Sequence, residues 1–136
     1  MPATRAFNPL STFVQFERGT AARARAAALP LTRRFWSDLS SGKRRIGGRL
    51  MGVVRRARNS DHWEVHPAGD ELLLRLSGEM EVVLQRGSRR WRVKLGARRP
   101  CCIVPQGVWH TLLVRTPGTL LFVTPGEGTK KRPAAE

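Results

Sequence analysis

No stretch of this 136-residue chain holds eighteen consecutive apolar residues, so a transmembrane helix is not expected. The N-terminus lacks a compact apolar segment behind a basic start, and no signal peptide is expected. Cysteine is scarce. Cys101 and Cys102 are neighbours, and an adjacent pair cannot staple a fold. They are expected to be small buried strand residues. These absences together point to a reducing cytoplasm. There is no Gly-x-Ser-x-Gly elbow, and no motif joins either cysteine to His110, which excludes the usual nucleophilic hydrolases. The glycines sit singly at turns, so no loop suits a nucleotide phosphate. No internal repeat of known period is present.

Acidic residues are also few. Ten Asp and Glu stand against 25 Lys and Arg, for a net charge of +15. A charge of this size draws anions at low salt. The basic residues are spread in twos and threes, and no helix carries a basic stripe with interleaved aromatics. Specific nucleic-acid binding is therefore not expected. The distribution says more than the total. Residues 1–60 and 82–136 are strongly basic, whereas residues 61–81 hold six of the acids and only Arg75 as a base.

The length fits one domain with a real core. Residues 1–12 lack periodicity and read as an arm. Residues 13–17 are a short strand candidate, and Pro30 ends any helix begun in the Arg/Ala/Gly-rich stretch 18–31. Thr32 is a candidate cap for a short helix with Phe35, Trp36 and Leu39 on its apolar side and Gly42 beyond its end. From residue 46 the pattern changes to short strands over 48–57, 62–66, 71–77, 79–85, 90–95, 101–104, 109–115 and 119–124. Gly and Pro turns separate them, with a hairpin tip at Arg86-Gly87-Ser88-Arg89. This spacing predicts an all-β sandwich or barrel. The polar tail from Pro125 is expected to fray.

Two segments carry the chemistry. The first is His66-Pro67-Ala68-Gly69-Asp70-Glu71, followed by Gly78. The second is Pro105-Gln106-Gly107-Val108-Trp109-His110. Residues two apart in a strand share a face, so His62, Glu64 and His66 lie on one side and Trp63 and Val65 on the other. Glu71 opens a strand after a bend containing Pro67 and Gly69. His110 opens another after a Pro-x-Gly turn. If these strands line one barrel, Glu64, His66, Glu71 and His110 converge inside it, and such nitrogen and oxygen donors suit a divalent transition metal. His62 falls at the rim. Arg75 shares the face of Glu71, where it needs an anionic partner such as Glu64 or a substrate. Trp63 and Trp109 point away from the donors, into packing. Leu72, Leu74 and Leu76 read as core or as a sheet–sheet interface.

These segments resemble the two signature motifs of the cupin superfamily. The spacing from His66 to Glu71 to Gly78 matches the first, with Glu64 where a further His is usual. Pro105, Gly107 and His110 match the second, while its leading Gly and trailing Asn are replaced by Arg99 and Val114. The resemblance covers residues 46–125 and is nearest to small single-domain bacterial cupins. It implies an all-β, double-stranded β-helix or jelly-roll barrel over 46–125. An irregular N-terminal extension with a short helix would occupy 1–45, and a polar tail 126–136. It implies His66, Glu71 and His110 as ligands of one divalent ion (Mn, Fe, Ni or Zn), with Glu64 as a fourth. The expected function is binding of that ion and a small oxygen-bearing ligand, with dioxygenase, isomerase or lyase chemistry left open. The alternative is a non-catalytic small-molecule or metal sensor. A homodimer is expected from the same resemblance, since pairing protects exposed barrel edges.

Overall fold

The computed structural model describes residues 5–17 and 25–134. Part of the Arg/Ala/Gly-rich stretch, residues 18–24, lies outside them. Two antiparallel sheets form from β1 (Thr12–Glu17), β2 (Arg25–Pro30), β3 (Arg49–Arg56), β4 (His62–Val65), β5 (Glu71–Arg75), β6 (Glu79–Arg86), β7 (Arg89–Leu95), β8 (Cys101–Val104), β9 (Trp109–Thr116), β10 (Gly118–Pro125) and β11 (Lys130–Pro133). The first sheet has the order β2-β1-β3-β10-β5-β8, and the second β11-β4-β9-β6-β7. The all-β expectation holds from residue 46 onwards, because alternating Val, Leu and Phe positions give each strand one face to bury.

The core lies between the sheets. Leu73, Leu120, Phe122 and Cys102 of the first sheet meet Met80, Val82, Leu84 and Leu112 of the second. Phe13 is fully buried and stacks edge-on against Phe35 and Phe122, with centroids 5.5 and 5.2 Å away. Each such pair contributes about 1 kcal/mol beyond area burial. Gly52 makes this possible. A Cβ there would come within 2.3 Å of the Phe13 ring, so the ring crosses β3 only where no side chain stands.

The N-terminal region is more ordered than its sequence suggests. β1 and β2 form a hairpin, and β1 pairs with β3, so this hairpin extends the first sheet. The Ala-rich composition of 25–30 hid a strand, because alanine carries no periodic contrast. The short helix α1 (Phe35–Ser41) is present, with Gly42 at its C-cap. Its N-cap is Arg34 without a capping side chain, and Thr32 instead lends only its carbonyl to the Phe35 N–H. The tail departs from the fraying expectation, since β11 pairs with β4 from Lys130↔Val65 to Pro133↔His62.

Register fixes what each face carries. Across five strands of the first sheet, Val14, Met51, Val123, Leu72 and Ile103 are direct partners in one row. Val53, Leu121, Leu74 and Cys101 form the next parallel row. By strand alternation both rows lie on the face opposite the core residues Phe122, Leu73 and Cys102, and on that face Val14 and Val53 are themselves buried. Leu72 and Leu74 are thus not core, and Leu76 is exposed. Cys101 is exposed and only Cys102 is buried, which corrects the expectation of two buried cysteines. The strand pleat sends neighbouring side chains to opposite faces, so an adjacent pair cannot both face the core.

Candidate metal centre

Strand pairing brings the two motifs together. Glu64 of β4 is the direct partner of His110 of β9, so both side chains enter the barrel from neighbouring strands. His66 follows β4 and Glu71 opens β5. The bends between them are stitched to each other. The Gly107 N–H donates to the His66 carbonyl at 3.1 Å, and the Gln106 N–H donates to Asp70 Oδ1 at 2.7 Å. The Gln106 side-chain amide donates to the Pro67 carbonyl at 2.6 Å. Gly107 takes φ +75°, a conformation most side chains avoid.

The donors converge. His110 Nε2 lies 2.9 Å and His66 Nε2 3.4 Å from Glu71 Oε1, and Glu64 Oε2 lies 3.8 Å from His66 Nε2. Glu64, His66 and His110 each offer one ligand atom within 4.8 Å of the others. His66 and Glu71 are almost sealed from solvent, whereas the Glu64 side chain is 31% exposed, so the cluster opens on its Glu64 side. Burial by itself raises the Glu71 carboxyl, but the adjoining imidazoles of His110 and His66 outweigh it and hold the group at about 2. Burial lowers the His110 imidazole, and the Glu71 carboxylate outweighs this and raises it.

His66 Nε2, Glu71 Oε1 and His110 Nδ1 are buried without a hydrogen-bond partner. Of these, His66 Nε2 and Glu71 Oε1 lie 3.4 Å from each other within the cluster. Buried polar atoms left this way are costly unless something else satisfies them. A cation bound between them would do so, and the mixed imidazole and carboxylate set suits a divalent transition metal.

Surrounding groups hold these side chains in place. His66 Nδ1 lies 2.8 Å from Thr129 Oγ, and Thr124 Oγ donates to Glu71 Oε2. Sequence reasoning missed both threonines. Thr124 stands at an inward position of β10, which alternation identifies, but nothing in the sequence links Thr129 to His66. His62 sits at the rim as expected, between Asp61 Oδ1 at 2.6 Å and Glu64 Oε1 at 2.8 Å. Arg75 does not reach Glu64 or await an anion. Its Nε donates to the Gly78 carbonyl at 2.5 Å, so a backbone oxygen meets its need. Trp63 and Trp109 point away from the donors, where the Arg132 guanidinium lies 5.1 and 4.5 Å from their ring centres.

Comparison with solved structures decides the fold. An oxalate oxidase in complex with glycolate superposes with a TM-score of 0.51 at 17% identity, over 61% of this chain and 45% of that one. The chain has the cupin fold. A single-residue variant of oxalate decarboxylase from Bacillus subtilis gives 0.50 at 13% identity, over 65% of this chain and 24% of that one. Peruvianin-I, a cysteine peptidase from Thevetia peruviana latex, gives 0.50 at 14% identity, over 64% and 56%. The chain thus spans from about a quarter to just over half the length of these matches. No family model matches the sequence. No curated protein matches it either. Among the described residues no helix is long and apolar enough to cross a membrane.

Proposed function

We propose that the barrel binds one divalent transition-metal ion through His66, Glu71, His110 and Glu64 and presents it to a small oxygen-bearing ligand. One observation carries this reading. Donors about 2.1 Å from a shared ion stand about 3.0 Å apart in octahedral and about 3.4 Å apart in tetrahedral geometry. The donor separations of 2.9, 3.4 and 3.8 Å fall around these values. Two carboxylates beside two imidazoles form a hard, anionic set that favours Mn²⁺ or Fe²⁺ over softer ions.

When bound, the ion supplies Lewis acidity toward a ligand oxygen. The chain's residues do the rest. Thr129 fixes the His66 ring, Thr124 anchors the outer oxygen of Glu71, and His66, Glu71 and His110 are held largely away from bulk water. The ligand enters along Glu64. Lys131 is the cross-strand partner of Glu64 and shares its face, which places a cation beside the entrance. A small carboxylate suits this arrangement, and it is the class of the glycolate held by the oxalate oxidase.

The test is elemental analysis of the purified protein beside the His66→Ala/His110→Ala double variant, after loading with Mn²⁺, Fe²⁺, Ni²⁺ or Zn²⁺. About one equivalent in the wild type, lost in the variant, is the expected result. Equal metal content in both would overturn the reading.

A further inference from the structure

We infer that one end of the outer face of the second sheet binds single-stranded nucleic acid without regard to sequence. No single segment of the chain shows this surface, because the basic residues are scattered in twos and threes. Strand register collects them. One row runs from Arg90 through Gln85 to Trp109, and Lys130 pairs with Val65 on the neighbouring strands. The next runs from Arg92 through Val83 to Thr111, and Arg132 pairs with Trp63. These positions alternate with the core residues Val82, Leu84 and Leu112, so they lie on the outward face. The two rows hold four cations and no carboxylate. Glu81 falls beyond them, where Arg115 at 2.5 Å and Arg92 at 3.6 Å already meet it.

Two of the guanidinium groups are positioned before any ligand arrives. Arg132 lies 5.1 Å from the Trp63 ring centre and 4.5 Å from that of Trp109, and Arg90 lies 5.0 Å from Trp63. The arginines help to cover Trp63, which is 5% exposed and takes no direct part. Arg90 and Arg132 both donate to Gln85 Oε1, at 2.8 and 3.3 Å. Two like charges thus converge on one neutral oxygen. Among the described residues neither forms an ion pair. Such a pair repels itself until an anion stands before it. Its planar donor forks match the oxygens of a phosphate.

The arrangement selects a polymer with regular negative charge and unpaired rings. Arg90, Arg92 and Lys94 recur at every second residue of β7, about 6.8 Å apart, so a chain of phosphates meets them in succession. Guanidinium groups lying over tryptophan rings offer their outer sides to unpaired bases. A duplex hides its bases, and β6 is fixed between β7 and β9, so no free ribbon enters a groove. A membrane fits less well, since Trp63, Val65 and Val83 are buried and these rows have no exposed apolar side chain to insert. Phosphate contacts carry no sequence information, which makes the binding sequence-blind. Trp63 and Trp109 adjoin Glu64 and His110 but point the opposite way, so this surface works independently of the metal centre.

Fluorescence anisotropy of a labelled oligothymidylate, about 20 nucleotides long, tests this on the full chain. A net charge of +15 attracts any polyanion at low salt, so two triple variants of equal charge are compared. Arg90→Gln/Arg92→Gln/Lys130→Gln strips the face, whereas Lys43→Gln/Arg98→Gln/Arg99→Gln removes three exposed cations elsewhere. At about 150 mM salt the face variant is expected to bind about tenfold more weakly or worse, and its salt slope to fall by about 2, at about 0.7 for each phosphate contact. The control is expected to stay within about twofold of wild type. Equal losses in the two variants, or no binding by the wild type at this salt, would overturn the proposal. So would a duplex of the same length bound as tightly as the single strand. Should the face variant fail to fold, Arg132→Lys takes its place, keeping the charge and losing the planar fork. A several-fold loss is expected there, and wild-type affinity would overturn the proposal.

Discussion

Thr129 Oγ lies 2.8 Å from His66 Nδ1, across 63 residues of sequence. With an ion bound at Nε2, Nδ1 would carry the ring hydrogen and donate it to this hydroxyl. The contact therefore sets both the tautomer and the angle of the ring. Replacing Thr129 with Val keeps the shape and removes the acceptor. Metal affinity is expected to fall by about 10- to 100-fold, as for other groups that orient a ligand. Chelator competition measures this, and Thr129→Ser, which keeps the hydroxyl, is expected to stay near wild type.

Acidification reports on the same cluster. In the metal-free protein the Glu71 carboxyl sits at about 2, below its ordinary 4.5, and the His110 imidazole sits above its ordinary 6.5. A depressed carboxylate stabilises the fold above its unfolded value, and that contribution disappears as pH falls toward 2. A raised imidazole stabilises the fold below its unfolded value, and that contribution disappears as pH climbs through the folded one. Both are complete only between about pH 4.5 and 6.5. Thermal melting of chelator-treated protein is expected to peak in this window. Glu71→Gln is expected to flatten the profile.

How much the sequence revealed depends on the kind of residue. His66, Glu71 and His110 stood out because they flank Pro and Gly turns at a distinctive spacing, and Glu64 followed from strand alternation. The order of strands from residue 46 was legible for the same reason, since Val- and Leu-rich runs alternate and Gly or Pro ends each one. Thr129 was invisible, because its role depends on β11 folding back onto β4 from a polar tail without periodicity. β2 was hidden by alanine. Arg75 misled, because alternation gives the face of a side chain but not the backbone carbonyl of Gly78 that satisfies it. Leu72 and Leu74 carried a true signal with two meanings, and only register with Met51, Val123 and Ile103 separated an outer face from a core.

Gly78 makes the first motif's spacing a backbone requirement. Its φ of +77° lies in the left-handed region, and an added Cβ would come within 2.5 Å of the Thr116 carbonyl oxygen. Gly87, at the tip of the β6–β7 hairpin, also has a positive φ, but nothing lies within 4 Å of its added Cβ. The left-handed conformation alone costs a non-glycine residue about 1–2 kcal/mol. Gly87→Ala is expected to lose about that much. Gly78→Ala is expected to lose more, because the backbone oxygen cannot step aside as a flexible side chain would. Urea unfolding of the two variants gives the comparison, and equal losses would mean that the β9–β10 turn yields freely.

Glu64 and Glu71 are both acidic and both near His66, yet their burial differs. The Glu71 side chain is 6% exposed and its outer oxygen is anchored by Thr124, so its inner oxygen has no alternative to the cluster. The Glu64 side chain is 31% exposed and already meets His62 at 2.8 Å, so it turns toward solvent at little cost. Removing a rigid, buried donor forfeits its full contribution to an ion, whereas water replaces a mobile donor at an open position. Glu64→Ala is therefore expected to keep close to one equivalent of metal, with affinity lowered by about tenfold, within the range for peripheral ligand changes. Glu71→Ala is expected to lose the ion under the same dialysis. Parallel elemental analysis of the two variants separates these outcomes. Equal retention would remove Glu71 from the ligand set and leave the metal to Glu64 and the two histidines.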